Sequence, residues 1–137
     1  MDLTRRYHFS SSHRLHSPQL SDVRNEEIFG KCNNPFGHGH NYEVEVTVRG
    51  PIDESTGRVV DLGTLDMLVQ RRVTDPLDHR NLNDEVPEFQ KLVPTTENLS
   101  LMIERRLRSA WQEAFSGDRP VLHRIRIYET ARNIFET

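Results

Sequence analysis

The chain has 137 residues, a net charge of −3 and a single cysteine. Its length suits one domain over residues 1–137, and its acidic balance argues against sequence-independent nucleic-acid binding, which needs a basic surface. One cysteine cannot form an internal disulfide, and no apolar run has the length of a signal peptide or membrane span. We therefore expect a reducing, cytoplasmic setting with no membrane partner.

Two strands are predicted in the first part of the chain. Weak alternation in LTRRYHFSSSHRL predicts a strand of about six to eight residues that ends near His13. Residues 14–37 are rich in glycine, proline and asparagine and predict a long loop, with a short helical turn around 26–29. Clean alternation from Tyr42 to Arg49 predicts a second strand, and the turn residues after it predict a hairpin that returns through 58–60.

Two amphipathic helices are predicted next. Asp61 can cap a helix whose leucines and valines recur at helical spacing until Pro76 stops it. Either Thr95 or Thr96 can cap a second helix, which is predicted to end at Gly117. Both helices have one apolar face, so each is expected to pack on a sheet.

The last part of the chain predicts a strand and a short final strand at 133–136. Alternate residues of the first strand are predicted to share one face, and they are Val121, His123, Ile125, Ile127 and Glu129. The element order β-β-α-α-β-β predicts an α+β fold with a four-stranded antiparallel sheet and two helices on one face. Such a sheet leaves one face and its edges uncovered, so we expect copies of the chain to associate.

Histidines are concentrated near the start, with five of the seven in the first 40 residues. His38 and His40 are two apart where a strand begins, so both side chains are expected on one face. His13, at the end of the first strand, is the best geometric candidate for a third ligand, with His8 and His16 as rivals. Three histidines leave a zinc ion one open position for water or substrate.

Two further polar groups suggest chemistry. Cys32 can be a fourth metal ligand, a nucleophile, a general base or an inert buried thiol, and a nearby metal and Lys31 are expected to lower its pKa. Asp78 and His79 can form a carboxylate-supported proton shuttle or a solvated loop pair. The residues themselves leave these alternatives open.

Five segments together resemble the 6-pyruvoyl-tetrahydropterin synthase family. They occur in the family's order and approximate spacing over essentially the whole chain, and they are FSSSHRL, GKCNNPFGHGHNY, PLDHRNLN, PTTENL and YETARN. The resemblance implies the tunnelling fold, in which three subunits close a barrel and two rings form a homohexamer. It also implies a zinc-dependent lyase of tetrahydrobiopterin biosynthesis that converts 7,8-dihydroneopterin triphosphate to 6-pyruvoyl-tetrahydropterin with release of triphosphate.

The resemblance also implies a site shared between subunits, since the catalytic Asp-His pair would reach it from a neighbouring chain. The implied residues are His13, His38 and His40 as zinc ligands, Cys32, Asp78 and His79 as the catalytic set, and Glu129, Thr95 and Thr96 as pterin contacts. Magnesium can accompany the triphosphate. Candidate cations for the triphosphate are Arg14 and Lys31, then Arg5 and Arg6.

Three other functions are less consistent with the sequence. 6-Carboxy-tetrahydropterin synthase of the queuosine pathway uses the same substrate, but that family commonly has a shorter interval between its cysteine and the HGH motif. A variant branch places a glutamate in this loop, whereas this chain has Cys32 and Pro35. A non-catalytic zinc- or pterin-binding module is disfavoured because every implied catalytic residue is present.

Overall fold

A mixed five-stranded sheet with the order β3-β1-β2-β4-β5 organises the computed structural model, which describes residues 1–137. Its strands are β1 (Asp2–His13), β2 (His38–Arg49), β3 (Arg80–Asn81), β4 (Val121–Tyr128) and β5 (Ile134–Glu136). The α+β class is confirmed, but the prediction of four wholly antiparallel strands is wrong, because β3 adds a parallel pairing with β1. A two-residue strand has no periodicity that a sequence pattern could reveal. Its two outer strands, β3 and β5, leave the sheet of one chain open.

The long β1–β2 ladder is the centre of the sheet. The two strands pair without interruption from Asp2 opposite Arg49 to His13 opposite His38. β1 is longer than predicted, since the three serines before His13 continue the strand although they lack the apolar alternation that marks it. This register places the end of β1 beside the start of β2.

The predicted hairpin after β2 is not formed. β2 pairs with β1 on one side and with β4 on the other. Both edges of β2 are therefore occupied, and residues 58–60 have no strand beside which to pair. The intervening segment forms turns instead, in which the Asp53 carboxylate accepts hydrogen bonds from the backbone N–H groups of Ser55 and Thr56.

A bulge in β4 changes which residues face the core. Thr47 pairs with Arg124, whereas the next residue of β2, Val48, pairs with Leu122, so His123 is the extra residue. Leu122 is buried, and His123 and Val121 are only half-buried. The prediction that alternate residues of β4 share one face is therefore correct only on the C-terminal side of the bulge.

Five helices accompany the sheet. They are α1 (Asp22–Phe29), α2 (Leu62–Val69), α3 (Asp75–Leu77), α4 (Leu82–Glu85) and α5 (Thr96–Ala114). One widened turn, Gln70–Thr74, joins α2 to α3, so the first predicted helix runs on to Leu77, one residue beyond Pro76. None of the helices combines the length and the apolar character needed to cross a bilayer.

The helix caps follow the predictions. The Asp61 carboxylate accepts from the backbone N–H of Thr64 at 2.8 Å. Thr95, not Thr96, caps α5, and its hydroxyl accepts from the N–H of Asn98 at 3.3 Å. Each side chain satisfies a backbone donor that the first helical turn leaves free.

The hydrophobic core lies between the helices and one face of the sheet. α2 and α5 contact each other, and α5 also contacts β4. The alternate residues of β2 that point into this core are Tyr42, Val44, Val46 and Val48. On the opposite face, Glu45 forms ion pairs with Arg6 at 3.0 Å and with Arg126 at 3.7 Å.

The helix α1 was predicted only as a short turn. Its anchor is Asn25, which is fully buried. The Asn25 amide donates to the backbone oxygens of Ser17, Leu20 and Ser21, and its side-chain oxygen accepts from the N–H of Ser17. These hydrogen bonds pair backbone groups of the loop that would otherwise be buried without partners. Hydrophobic periodicity gives no signal for such bonds, so the sequence pattern did not predict the full helix.

Candidate active site

Three histidines meet where β1 ends and β2 begins. The register sets His13 opposite His38, and His40 lies on the same face of β2 two residues further on. Their candidate ligand atoms all lie within 4.8 Å of one another. His13 Nε2 is 3.1 Å from His38 Nε2, and the three rings meet edge to face. The rivals His8 and His16 do not join this group.

The protonation of these imidazoles suits a metal. His13 Nδ1 is 2.8 Å from the carbonyl oxygen of Pro94. A carbonyl can only accept, so Nδ1 carries the proton and Nε2 offers its lone pair to the other histidines. Burial lowers the pKa of His13 and of His40. His40 Nε2 is buried without a hydrogen-bond partner, so the cluster fits a divalent ion such as zinc.

Gly37 allows the loop before β2 to approach β1 closely. Its φ is +71°, and a Cβ atom built there would lie 2.8 Å from the carbonyl oxygen of His13. Any side chain at this position would push the loop away from β1 and move His38, which follows it directly.

Glu129 lies beside the histidines. Its Oε1 accepts a hydrogen bond of 2.6 Å from the Thr96 hydroxyl and lies 3.8 Å from His40 Nε2. Its Oε2 accepts from the Asn133 amide at 3.3 Å. The carboxylate is therefore held in a defined orientation next to the cluster, whereas Thr95 contributes its hydroxyl to the cap of α5.

Cys32 lies in a helical turn, Gly30–Asn33, and is half-buried. Its sulfur is not part of the group of candidate ligand atoms, which disfavours a fourth-ligand role. Burial, and then the charge of Glu129, raises the pKa of the Cys32 thiol. The sequence led us to expect a lowered pKa, so this direction is opposite to the prediction. The protein's own groups favour the neutral thiol, and a bound cation would be needed to favour the thiolate.

Asp78 and His79 lie along the edge of β1. The Asp78 carboxylate accepts from the N–H of Ser10 at 2.9 Å, and the N–H of His79 donates to the carbonyl of Ser10. His79 Nε2 is 3.6 Å from Asp78 Oδ2, and the His79 side chain is 85% exposed. Neither residue has a hydrogen bond or ion pair with the histidine cluster, Cys32 or Glu129 in the same chain.

The candidate cations for a triphosphate are partly engaged elsewhere. Arg5 forms a two-bond pair with Asp66, and Arg6 pairs with Glu45. The Nε of Arg14 donates to the backbone oxygen of Asn33. Lys31 has no ion pair.

Three contributors to the site were not predicted from the sequence. Pro94 acts through its backbone carbonyl, which leaves no signal in residue type. Asn133 belongs to the YETARN segment but had no assigned role, and Asn33 stands next to Cys32. For Asn33 the available signal was its position beside a candidate catalytic residue in a tight loop. Asparagine side chains in such loops commonly form hydrogen bonds with the nearby backbone.

The fold and the cluster define an α+β protein with a histidine site able to hold a metal. The sequence profile of the 6-pyruvoyl tetrahydropterin synthase family matches residues 2–137. A 6-pyruvoyl tetrahydrobiopterin synthase of Poecilia reticulata is 48% identical over 96% of this chain and 86% of its own length. The corresponding Homo sapiens protein is 46% identical over 96% of this chain and 87% of its own length.

The solved structure of a Caenorhabditis elegans 6-pyruvoyl tetrahydropterin synthase superposes with a TM-score of 0.90 at 42% identity, covering 100% of this chain and 94% of that one. The chain belongs to the 6-pyruvoyl tetrahydropterin synthase family. The expectation drawn from the five sequence segments is confirmed for the family.

Proposed function

We propose that this enzyme converts 7,8-dihydroneopterin triphosphate to 6-pyruvoyl-tetrahydropterin and releases triphosphate. The observation that carries the proposal is the placement of Glu129, with Oε1 3.8 Å from His40 Nε2. This geometry sets a carboxylate suited to a pterin ring next to a cluster suited to a metal. The names of the relatives at 46–48% identity support the same reaction.

Glu129 would bind the pterin ring. A carboxylate can accept two parallel hydrogen bonds, here from the amino group and the neighbouring ring N–H of a pterin. Thr96 and Asn133 each donate to one of its oxygens, and an oxygen with two lone pairs keeps one for the substrate. The bonds from the protein therefore orient the carboxylate before substrate binds, which reduces the cost of ordering it.

His13, His38 and His40 would hold a zinc ion. Zinc bound there supplies Lewis-acid chemistry, which polarises oxygen ligands and makes neighbouring C–H bonds more acidic without a change of redox state. The hydrogen bond from His13 Nδ1 to Pro94 keeps the ring in the tautomer that a metal needs. Magnesium would accompany the triphosphate in solution.

Proton movement would fall to Cys32 and to the Asp78–His79 pair. Cys32 would act on one face of the substrate side chain, and His79, supported by Asp78, on another. The 85% exposure of His79 supports its reaching the site of a neighbouring chain. We accordingly propose that open sheets join into three-subunit barrels and that two rings form a hexamer, with each site shared between chains.

The direct test is to incubate the zinc-loaded protein with 7,8-dihydroneopterin triphosphate and to identify the products by mass spectrometry. We expect 6-pyruvoyl-tetrahydropterin and free triphosphate. Formation of 6-carboxy-tetrahydropterin with acetaldehyde would assign the chain to the sister activity. Zinc bound at one ion per chain without any turnover would instead indicate a binding module.

Protons should compete with zinc for two of the candidate ligands, His13 and His40, only at lower pH than for free imidazole. A metal binds the neutral ring, and burial lowers the pKa of His13 and His40 below its usual value of about 6.5. Both rings are therefore protonated at lower pH than a free imidazole, so fewer than three protons should compete for each zinc ion near that value. Zinc affinity measured by chelator competition from pH 8 to 5 would test this; a loss near pH 6.5 that depends on three protons per zinc ion would contradict it.

A further inference from the structure

Two segments beside the candidate site are joined by a compact set of hydrogen bonds, here called the clasp. The N–H of Leu15 donates to the carbonyl of Cys32 at 2.8 Å, and Arg14 Nε donates to the carbonyl of Asn33 at 3.0 Å. In the other direction, the Asn33 amide donates to the carbonyl of Leu15 at 2.8 Å and lies 3.0 Å from His16 Nδ1. The clasp therefore holds residues 32–33 against residues 14–16.

One side of the clasp is itself fixed. The main chain of Arg14 exchanges two hydrogen bonds with the Asn83 side chain, which accepts from the N–H at 2.8 Å and donates to the carbonyl at 2.9 Å. Arg14 directly follows His13, whose ring is held by Pro94. Residues 14–16 thus form a firm support that continues the strand carrying a candidate metal ligand.

The other side has few alternative supports. The remaining loop hydrogen bonds of residues 31–37 stay within the loop: Asn34 donates to the carbonyl of Lys31, and Gly37 and Phe36 donate to Asn34. The clasp supplies the hydrogen bonds that attach the Cys32 turn to residues 14–16, the segment that follows β1. Within it, the Asn33 amide makes two of the side-chain contacts, to Leu15 and His16, and Arg14 Nε makes one, so Asn33 is the side chain whose removal costs most of the clasp's side-chain contacts.

We propose that Asn33 is a positioning residue that sets where the Cys32 thiol lies relative to the histidine cluster. The inference rests on the proposed proton-transfer role of Cys32. Asn33 would not touch substrate, since its amide is engaged by Leu15 and His16. It acts through its neighbour, because a displacement of about 1 Å in a reacting group can cost about 100-fold in rate.

The chain offers a matched control in the adjacent asparagine. Asn34 uses its side-chain oxygen only for the N–H of Phe36, within the loop. Asn33→Ala and Asn34→Ala therefore remove the same side chain at neighbouring positions, but only the first removes contacts of the clasp. Asn33→Leu, which nearly keeps the size of the side chain, loses both N–H donors and adds no charge, separates hydrogen bonding from packing.

Three quantities are measured on the zinc-loaded full chain: kcat with KM, bound zinc, and the rate at which iodoacetamide alkylates Cys32 at one fixed pH. For Asn33→Ala and Asn33→Leu we expect kcat to fall about 10- to 100-fold with KM nearly unchanged. Zinc should stay bound, and the alkylation rate should change severalfold. Asn34→Ala should match the unsubstituted chain in all three.

The inference is overturned if Asn33→Ala and Asn34→Ala show the same kcat and the same alkylation rate. It is also overturned if kcat falls while the alkylation rate of Cys32 stays unchanged, since Asn33 would then act elsewhere. Should Asn33→Ala fail to fold, Asn33→Leu is judged by these same criteria. Alkylation requires no turnover, so it tests the clasp even if the proposed reaction is wrong.

Discussion

Replacing Cys32 with alanine is expected to lower kcat by about 10²- to 10⁴-fold, the usual contribution of a positioned general acid or base. KM and bound zinc should change little, because the histidine cluster does not include the sulfur and Glu129 is held by Thr96 and Asn133. Steady-state rates of triphosphate release, with zinc measured on the same samples, would provide the comparison.

Cys32→Ser is the matched variant for this experiment. It keeps the size of the side chain but replaces the thiol by a hydroxyl that ionises far less readily, so we expect it to resemble the alanine variant. A serine variant with nearly full activity would contradict a proton-transfer role for the thiol. Loss of zinc from either variant would instead support the alternative in which Cys32 is a metal ligand.

Replacing His40 with alanine is expected to abolish stable zinc binding and turnover together. The substitution removes one of three converging candidate ligands. Removing a residue that only supports a ligand typically costs about 10- to 100-fold in metal affinity, so we expect a larger loss here. Zinc content after dialysis, and affinity by competition with a chelator, would measure the effect.

His123→Ala is a suitable control for the His40 variant. His123 is the bulged residue of β4, is half-buried, and lies outside the group of converging histidines. Its replacement should leave zinc binding intact. If the His40 variant bound zinc as tightly as this control, the assignment of the cluster as the metal site would be wrong.

Local patterns predicted the parts of the fold that depend on periodicity and capping. Alternation marked the core face of β2, and Asp61 and the Thr95–Thr96 pair marked the starts of the two long helices. The two-residue spacing of His38 and His40 placed both on one face, because side chains alternate along a strand. These signals are contained within a few consecutive residues, so no knowledge of distant contacts is needed.

Other features depended on pairing partners that no local pattern reveals. The return strand at 58–60 was wrong because β4, far along the chain, occupies the free edge of β2. The bulge at His123 arises from the same pairing, and it shifted the predicted face of β4 by one residue. The strand β3 depends wholly on the edge that β1 offers.

The sequence by itself determined the family, the element order of the long strands and helices, and which three histidines were expected to converge. Only the tertiary structure decided how the site is arranged, because its contacts join residues far apart in the chain. Thr96 reaches Glu129 across 33 positions, and His13 reaches Pro94 across 81. The exposure of His79 was likewise decided by the fold, since its backbone is bound to the edge of β1 while its side chain points to solvent.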